Sequence, residues 1–313
     1  MKSLLFPGQG SQVVGMGYEL YQKFDLVKNI FKRADEALNF RISKLVLDGP
    51  ESELQLTENT QPAIMMVSYS IFKILEEKFE TDVRKFKFFA GHSLGEYSAL
   101  VCSKSLDFND ALYLLKERGK AMQEAVPVGE GSMIAILGSD TDEVQKFIDL
   151  NKNNNGICEI ANDNAIGQII ISGDKEGVSL IQAKLKEKKI KCIPLKVSAP
   201  FHCSLMNSAA EKMKEKINNI KFNKPEVKII SNVNARPEED PEKIKQLLIK
   251  QIYSTVKWRE SLNYMFEQGV ENFVEVGPGK ALTGMVKRTI NQATCFSINS
   301  IADIDKLNNE FKK

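Results

Sequence analysis

Apolar positions along this 313-residue chain alternate between short unbroken runs and longer stretches of helical period. Short apolar runs bounded by turn residues read as buried strands. Apolar residues three and four apart read as one face of a helix. Leu4 to Phe6 is the first such run, and it ends at Pro7-Gly8-Gln9-Gly10-Ser11-Gln12. Residues 17 to 80 read as helices and loops, broken at Leu47-Asp48-Gly49-Pro50 and reopened at Thr60-Gln61-Pro62. Phe86 to Ala90 reads as a second buried strand. Gly91-His92-Ser93-Leu94-Gly95 follows, and then an apolar-periodic helix containing Glu96, Tyr97 and Leu100. Asp107 is placed to cap a helix from Phe108 to Ala125, whose apolar face runs Phe108, Leu112, Leu115, Met122.

The pattern changes over residues 128 to 197. Ser132–Leu137, Ile157–Ala161, Gln168–Ser172 and Ile190–Val197 read as strands, and Thr141–Leu150 and Asp174–Lys189 as helices. The order βαββαβ is the ferredoxin-like pattern. It predicts a small subdomain, 128–197, inserted into a larger one made of 1–127 and 198–313. Lys152-Asn153-Asn154-Asn155-Gly156 reads as a solvated loop. Beyond the insert, a helix carries Leu205, Ala209, Met213, Ile217 and Ile220 on one face. Val227–Ser231 reads as a strand and 241–269 as helical. Phe273–Val276 is a strand, Lys280–Ile290 a helix and Cys295–Asn299 a last strand. Strands alternating with helices predict an α/β fold with a mostly parallel sheet covered on both faces.

Composition narrows the class. Hydrophobic residues at 42% and charged residues at 27% are ordinary for a globular enzyme, and a formal charge of +2 gives no reason to expect nucleic-acid binding. No apolar run approaches the roughly 18 residues of a membrane span. The N-terminus has no signal-peptide layout, so the chain is expected in the cytoplasm, or in an organelle stroma if a transit peptide has been removed. Five scattered cysteines with no C-x-x-C pair argue against a disulfide framework or a cysteine metal site.

The candidate chemistry centres on Ser93. Strand, G-x-S-x-G, helix is the context of a nucleophile elbow, in which the serine oxygen stands clear of the sheet at a helix N-terminus. The backbone N–H of Leu94 is then placed to bind an oxyanion. A serine nucleophile needs a base, and the chain holds two histidines, His92 and His202. His92 adjoins Ser93 in a turn where neighbours diverge, which leaves His202. Cys203 next to it points the other way in extended chain. No Asp or Glu stands out as a third member, and a backbone carbonyl could orient the ring instead. Arg118 falls on the buried face of its helix. It is either paired to a structural carboxylate, snorkelling to the surface, or a bidentate clamp for a substrate carboxylate. The loop around Gly8 and Gly10 is either a plain strand-to-helix turn or an oxyanion loop. Val13 stands where a dinucleotide fingerprint needs a small residue, and Gly277-Pro278-Gly279-Lys280 lacks P-loop spacing.

Several of these stretches, in order and over nearly the whole chain, resemble the malonyl-CoA:acyl carrier protein transacylases, acyltransferases of fatty acid and polyketide synthesis. They are Phe6–Gln12, Gly91–Tyr97, Arg118-Gly119-Lys120-Ala121-Met122, Asn162-Asp163-Asn164 before Gln168, Phe201-His202 and Val274–Gly279. The resemblance implies an α/β-hydrolase-like large subdomain with the ferredoxin-like insert. It implies Ser93 as nucleophile toward malonyl-CoA, His202 as base, and the N–H groups of Gln9 and Leu94 as the oxyanion hole. Arg118 would hold the malonyl carboxylate, the carbonyl of Gln251 would orient the histidine, and Asn162 would support the pocket. Phe201 matches the malonyl-selective pattern. The partners implied are malonyl-CoA and a phosphopantetheinylated acyl carrier protein, with no cofactor, no nucleic acid, no membrane and a monomeric chain. Carrier proteins are typically acidic, so a basic patch is expected at the cleft mouth. A serine thioesterase or esterase with the same elbow is the rival reading, and a non-catalytic carrier-binding module is the second. A methylmalonyl acyl group is also compatible with Arg118.

Overall fold

In the computed structural model, which describes residues 1–78, 82–151, 156–195, 197 and 199–311, the strands form two separate sheets. The larger contains β1 (Lys2–Phe6), β2 (Phe88–Gly91), β7 (Ile229–Ile230), β8 (Pro237–Glu238), β9 (Asn272–Val276) and β10 (Thr294–Ile298), in the order β10-β9-β1-β2-β7-β8. The first five strands in that order are parallel, and β8 closes the edge antiparallel to β7. Strands buried on both faces must be apolar at successive positions, which is why they read as unbroken runs rather than alternations. The two faces still separate by period two: Leu4, Phe6 and Phe89 join one core cluster, while Leu5, Phe88 and Ala90 join the other.

The smaller sheet contains β3 (Gly131–Leu137), β4 (Cys158–Ala165), β5 (Gln168–Asp174) and β6 (Lys191–Pro194), antiparallel throughout in the order β4-β5-β3-β6. That is the strand order of the ferredoxin-like pattern. The helices Thr141–Leu150 and Lys175–Glu187 supply Val144, Ile148, Val178, Ile181 and Leu185 to its core, opposite Ile134, Ile136, Ile160, Ile169 and Ile171. β4 and β5 run longer than the apolar pattern predicted, because their last residues are polar or small and carry no apolar signal. Residues 152–155 of the expected Asn-rich loop lie outside the described residues.

One expectation fails in a way that matters for the site. Residues 241–269 are two helices, Pro241–Gln251 and Trp258–Glu267, not one helical stretch. The chain between them turns because Val256 pairs with β4: its N–H donates to the carbonyl of Ala161 at 2.8 Å, and its carbonyl accepts from Asp163. Apolar periodicity cannot report a break imposed by a partner more than ninety residues away. The Ile301–Phe311 helix and β8 are not predicted by the apolar pattern.

Candidate active site

β1 and β2 are adjacent and parallel with Phe6 opposite Gly91, so the loops after both emerge side by side at the carboxyl edge of the sheet. Their contact is close. A Cβ on Gly8 would lie 2.7 Å from the carbonyl oxygen of His92, and one on Gly95 would lie 2.2 Å from that of Phe6. A Cβ on Gly91 would fall 1.9 Å from the Gly95 backbone, so both elbow glycines are required by backbone approach. Between them Ser93 adopts φ 52°, and His202 adopts φ 58°. A left-handed conformation at a non-glycine residue costs about 1–2 kcal/mol, which the surrounding contacts must hold in place. Asn232 does so at Ser93: its Oδ1 accepts the serine N–H at 2.7 Å, and its Nδ2 donates to the Gly91 carbonyl at 2.8 Å.

The Ser93 hydroxyl lies 2.8 Å from His202 Nε2. On the far side of the ring, Nδ1 lies 2.9 Å from the backbone carbonyl of Gln251. A carbonyl only accepts, so Nδ1 carries the proton and Nε2 presents its lone pair to the serine. The Gln251 carbonyl is available because the helix Pro241–Gln251 stops there. A carbonyl in the last turn of a helix has no N–H four residues on to bind it. The break enforced at Val256 therefore creates the acceptor that orients His202. Burial, and then the Arg118 charge, push the His202 imidazole down to about 3, so it is neutral at physiological pH.

Arg118 is 1% exposed. It comes from the helix Phe108–Glu124, which crosses Thr57–Lys78 so tightly at Gly119 that a Cβ there would lie 2.5 Å from the Glu58 Cα. That approach sets Arg118 against Gln61. Its Nη1 donates to Gln61 Oε1 at 2.7 Å, and its Nη2 to Gln251 Oε1 at 2.9 Å and to Ser93 Oγ at 3.1 Å. Nε has no partner, and no carboxylate is hydrogen-bonded to the guanidinium among the described residues. Of the three readings of Arg118, snorkelling does not match this placement, and a structural carboxylate, Glu96, faces the guanidinium only through the Gln251 amide. Glu96 is also buried beside the elbow, accepting at Oε2 from Gln251 Nε2 (2.8 Å) and from the Asn232 N–H (3.1 Å). Burial pushes its carboxyl up to about 7 against the pull of those donors and of Arg118.

The remaining expected residues divide. Leu94 precedes the helix Gly95–Cys102, and neither its N–H nor that of Gln9 donates to another backbone group among the described residues. The Gln9 side chain reaches Thr57 Oγ1 at 3.4 Å. Phe201 is buried next to His202. Asn162 is buried on β4 where the strand bridges Val256, and its side chain hydrogen-bonds none of Ser93, His202 or Arg118. Its neighbour Asn164 instead accepts at Oδ1 from His92 Nε2–H (2.8 Å), and Trp258 packs edge-on against the His92 ring at 5.5 Å between centroids. His92 thus points away from Ser93. Cys203 is directed at Ser172 and the Pro200 carbonyl, apart from the serine. The sequence gives no role to Gln61 or Asn232, and Asn164 enters it only inside the Asn162-Asp163-Asn164 stretch. Gln61 lies in the Thr60-Gln61-Pro62 helix opening, and nothing in its spacing marks it.

A buried serine, a neutral histidine oriented by a carbonyl, and a buried arginine free of any hydrogen-bonded carboxylate form a nucleophilic acyl-transfer site. Residues 4–310 match the model of the acyl transferase domain family. The chain belongs to this family. The malonyl CoA-acyl carrier protein transacylase of Bacillus subtilis is 43% identical to it over 304 residues, 97% of this chain and 95% of that protein. The protein of the same name from Escherichia coli K12 is 40% identical over 298 residues, 95% of each. The crystal structure of an acyl-carrier-protein-S-malonyltransferase from Bartonella henselae superposes with a TM-score of 0.96 at 39% identity, covering 100% of this chain and 99% of that one. A malonyl-transacylase solved in complex with a type II PKS acyl-carrier protein superposes at 0.95 and 38% identity, covering 99% of each chain. This acyl transferase therefore matches its sequence relatives over nearly their whole length and shares the fold of the two solved structures. None of its described helices is long and apolar enough to cross a membrane.

Proposed function

We propose that this acyl transferase moves the malonyl group of malonyl-CoA to the phosphopantetheine thiol of acyl carrier protein through an ester on Ser93, supplying malonyl units for fatty acid synthesis. The observation that carries the reading is Arg118: a buried guanidinium, with no hydrogen-bonded carboxylate, donating to the nucleophile itself. An acyl group ending in a carboxylate supplies the anion such a cation calls for. The names and structures of the relatives support the same substrate.

In the first half-reaction Ser93 Oγ attacks the thioester carbon while His202 Nε2 takes the hydroxyl proton. The N–H groups of Gln9 and Leu94 receive the oxyanion, and the C–S bond then breaks, with the histidine returning its proton to the CoA sulfur. The phosphopantetheine thiol enters and reverses these steps. The Gln251 carbonyl keeps Nδ1 protonated throughout. Arg118 holds the malonyl carboxylate, and Asn162 supports the site by seating the 252–257 turn on β4. Transfer between oxygen and sulfur nucleophiles calls for no redox or metal cofactor. The reading also divides the chain into an α/β-hydrolase-like subdomain, 1–127 and 198–313, and a ferredoxin-like one, 128–197. It places the enzyme in the cytoplasm as a monomer, with basic residues at the cleft mouth meeting the acidic carrier.

The test is to mix enzyme, malonyl-CoA and holo-carrier and separate malonyl-carrier from free malonate. Transfer exceeding hydrolysis by orders of magnitude is expected. Free malonate as the main product would replace the transferase with a thioesterase. Reversing the charge of entrance lysines and arginines should raise the KM for carrier, and an unchanged KM would remove the basic patch.

A further inference from the structure

Two oppositely charged side chains face each other across a single amide beneath the nucleophile. Gln251 Oε1 accepts from Arg118 Nη2 at 2.9 Å, and Gln251 Nε2 donates to Glu96 Oε2 at 2.8 Å. Both charged groups are at least 98% removed from solvent. The same Gln251 amide donates to the Ser93 carbonyl at 3.0 Å, and the residue's own carbonyl orients His202. The mechanism above leaves Glu96 without a task, and an isolated carboxylate at such depth is expensive unless it answers a charge.

We propose that Glu96 is the resident counter-charge of Arg118 and takes up a proton when a substrate carboxylate arrives, so that malonyl binding is coupled to protonation of Glu96. The proposal rests on the reading of Arg118 as the carboxylate clamp. Before substrate, Arg118 and Glu96 balance. With malonyl on Arg118, two carboxylates share one guanidinium in a water-poor site, and the second cannot remain ionised at little cost. Malonyl stays ionised because it is held by the cation directly, whereas Glu96 is separated from it by the Gln251 amide. Protonation at Oε1 leaves both existing hydrogen bonds intact, since both donors converge on Oε2. The empty site already favours this, with burial raising the Glu96 carboxyl to about 7.

The surroundings hold few other groups that could titrate in its place. Arg118 arrives from the helix Phe108–Glu124, Tyr97 is the neighbour on the Glu96 helix, and His202 lies beyond Gln251. Tyr97 is pushed up to about 12 and His202 down to about 3, so neither changes charge near neutrality. β1, β2 and β7 turn apolar side chains toward this helix, Thr57–Lys78 brings uncharged Gln61 near Glu96 and sets Lys73 and Glu76 near Cys102 at the other end, Pro241–Gln251 brings Gln251 itself, and buried His92 is turned to Asn164 and Trp258.

The acylation step is proton-neutral. The O–C bond forms, the C–S bond breaks, and the serine proton leaves on the CoA thiol. Malonyl-CoA and acetyl-CoA share that balance, so the difference between them isolates Glu96. The experiment measures proton uptake with a pH indicator during single-turnover acylation of wild type and Glu96→Gln by each donor between pH 6 and 8.5. Thermal unfolding and intact mass are recorded in parallel. Glutamine keeps an acceptor for both donors while removing the charge. The expected result is an excess uptake of a sizeable fraction of a proton with malonyl-CoA on wild type, greatest near or just above pH 7, and none in Glu96→Gln. The malonyl kcat/KM of wild type should fall several-fold from pH 6 to 8.5 relative to acetyl, and this relative fall should vanish in the variant. Equal uptake with the two donors, or an excess that survives in Glu96→Gln, would overturn the proposal. If the variant fails to fold, the wild-type comparison of donors decides alone. If instead Arg118→Ala leaves malonyl acylation unchanged, the clamp reading fails, which is a separate result.

Discussion

The two sheets solve opposite problems. The antiparallel sheet packs an aliphatic core of isoleucine, valine and leucine under its two helices. The parallel sheet carries, at its carboxyl edge, buried Ser93, Glu96, Arg118, His202, Asn232 and Gln251. The first arrangement is stable because apolar area leaves water, about 25 cal/mol per Å². The second holds only because nearly every polar atom finds a partner, and each partner lost leaves a group buried without one. Parallel topology explains the location: β1 and β2 deliver their loops to the same edge, where open sheets of this kind place their ligands. The antiparallel sheet contributes mainly through β4, which pairs with Val256 just beyond the helix that ends at Gln251 and holds His92 by Asn164.

That contrast can be broken from either side. The largest expected effect is on chemistry: His202→Ala should lower acylation of Ser93 by roughly a thousandfold, as for loss of a general base, while the unpaired Gln251 carbonyl costs only about 1–3 kcal/mol of stability. A rate within tenfold of wild type would show that another group takes the serine proton. The reverse case is Ile171→Ala at the centre of the aliphatic core. Truncating a fully buried isoleucine should cost about 2–5 kcal/mol in chemical denaturation while the folded fraction acylates at the wild-type rate. A matching loss of activity would mean that the small sheet tunes the site directly.

Two smaller effects sharpen the seam. Asn164 bridges β4 to His92, so Asn164→Ala should cost about 1 kcal/mol of stability and change acylation by less than tenfold. The acetyl acylation rate should be flat from pH 5 to 8, because His202 is held down to about 3 and stays neutral across that range. Stability should not be flat. Both histidines bind a proton more weakly folded than unfolded, so folding loses free energy as pH falls below the unfolded value near 6.5. An acid limb in the rate near pH 6.5 with no loss of stability would contradict the burial of His202.

What the sequence exposed follows from the same physics. The antiparallel subunit of the fold was legible as βαββαβ because its strands and helices obey local periods, and its helices match almost residue for residue. Ser93 was legible because the elbow needs glycine at both flanks, and a chemical requirement left a local mark. His202 was reached by elimination between two histidines, and its partner Gln251 by family resemblance alone. Asn232, Gln61 and Asn164 were not legible. Each is an amide whose role arises from a contact across the fold, and an amide at 61 or 232 looks like any surface amide until the chain closes on it. The break after Gln251 was hidden for the same reason, since its cause lies on β4.

The central claim is that Ser93 takes the acyl group and Arg118 selects it by its carboxylate. Intact mass after separate incubation with malonyl-CoA and acetyl-CoA tests it most directly, on wild type, Ser93→Ala and Arg118→Ala. A malonyl adduct on wild type is expected, absent from Ser93→Ala and formed about a hundredfold more slowly by Arg118→Ala, with acetyl labelling affected far less by the arginine change. Equal labelling of wild type by both donors, unchanged in Arg118→Ala, would keep the nucleophile and contradict the clamp. An adduct that persists in Ser93→Ala would contradict the account at its root.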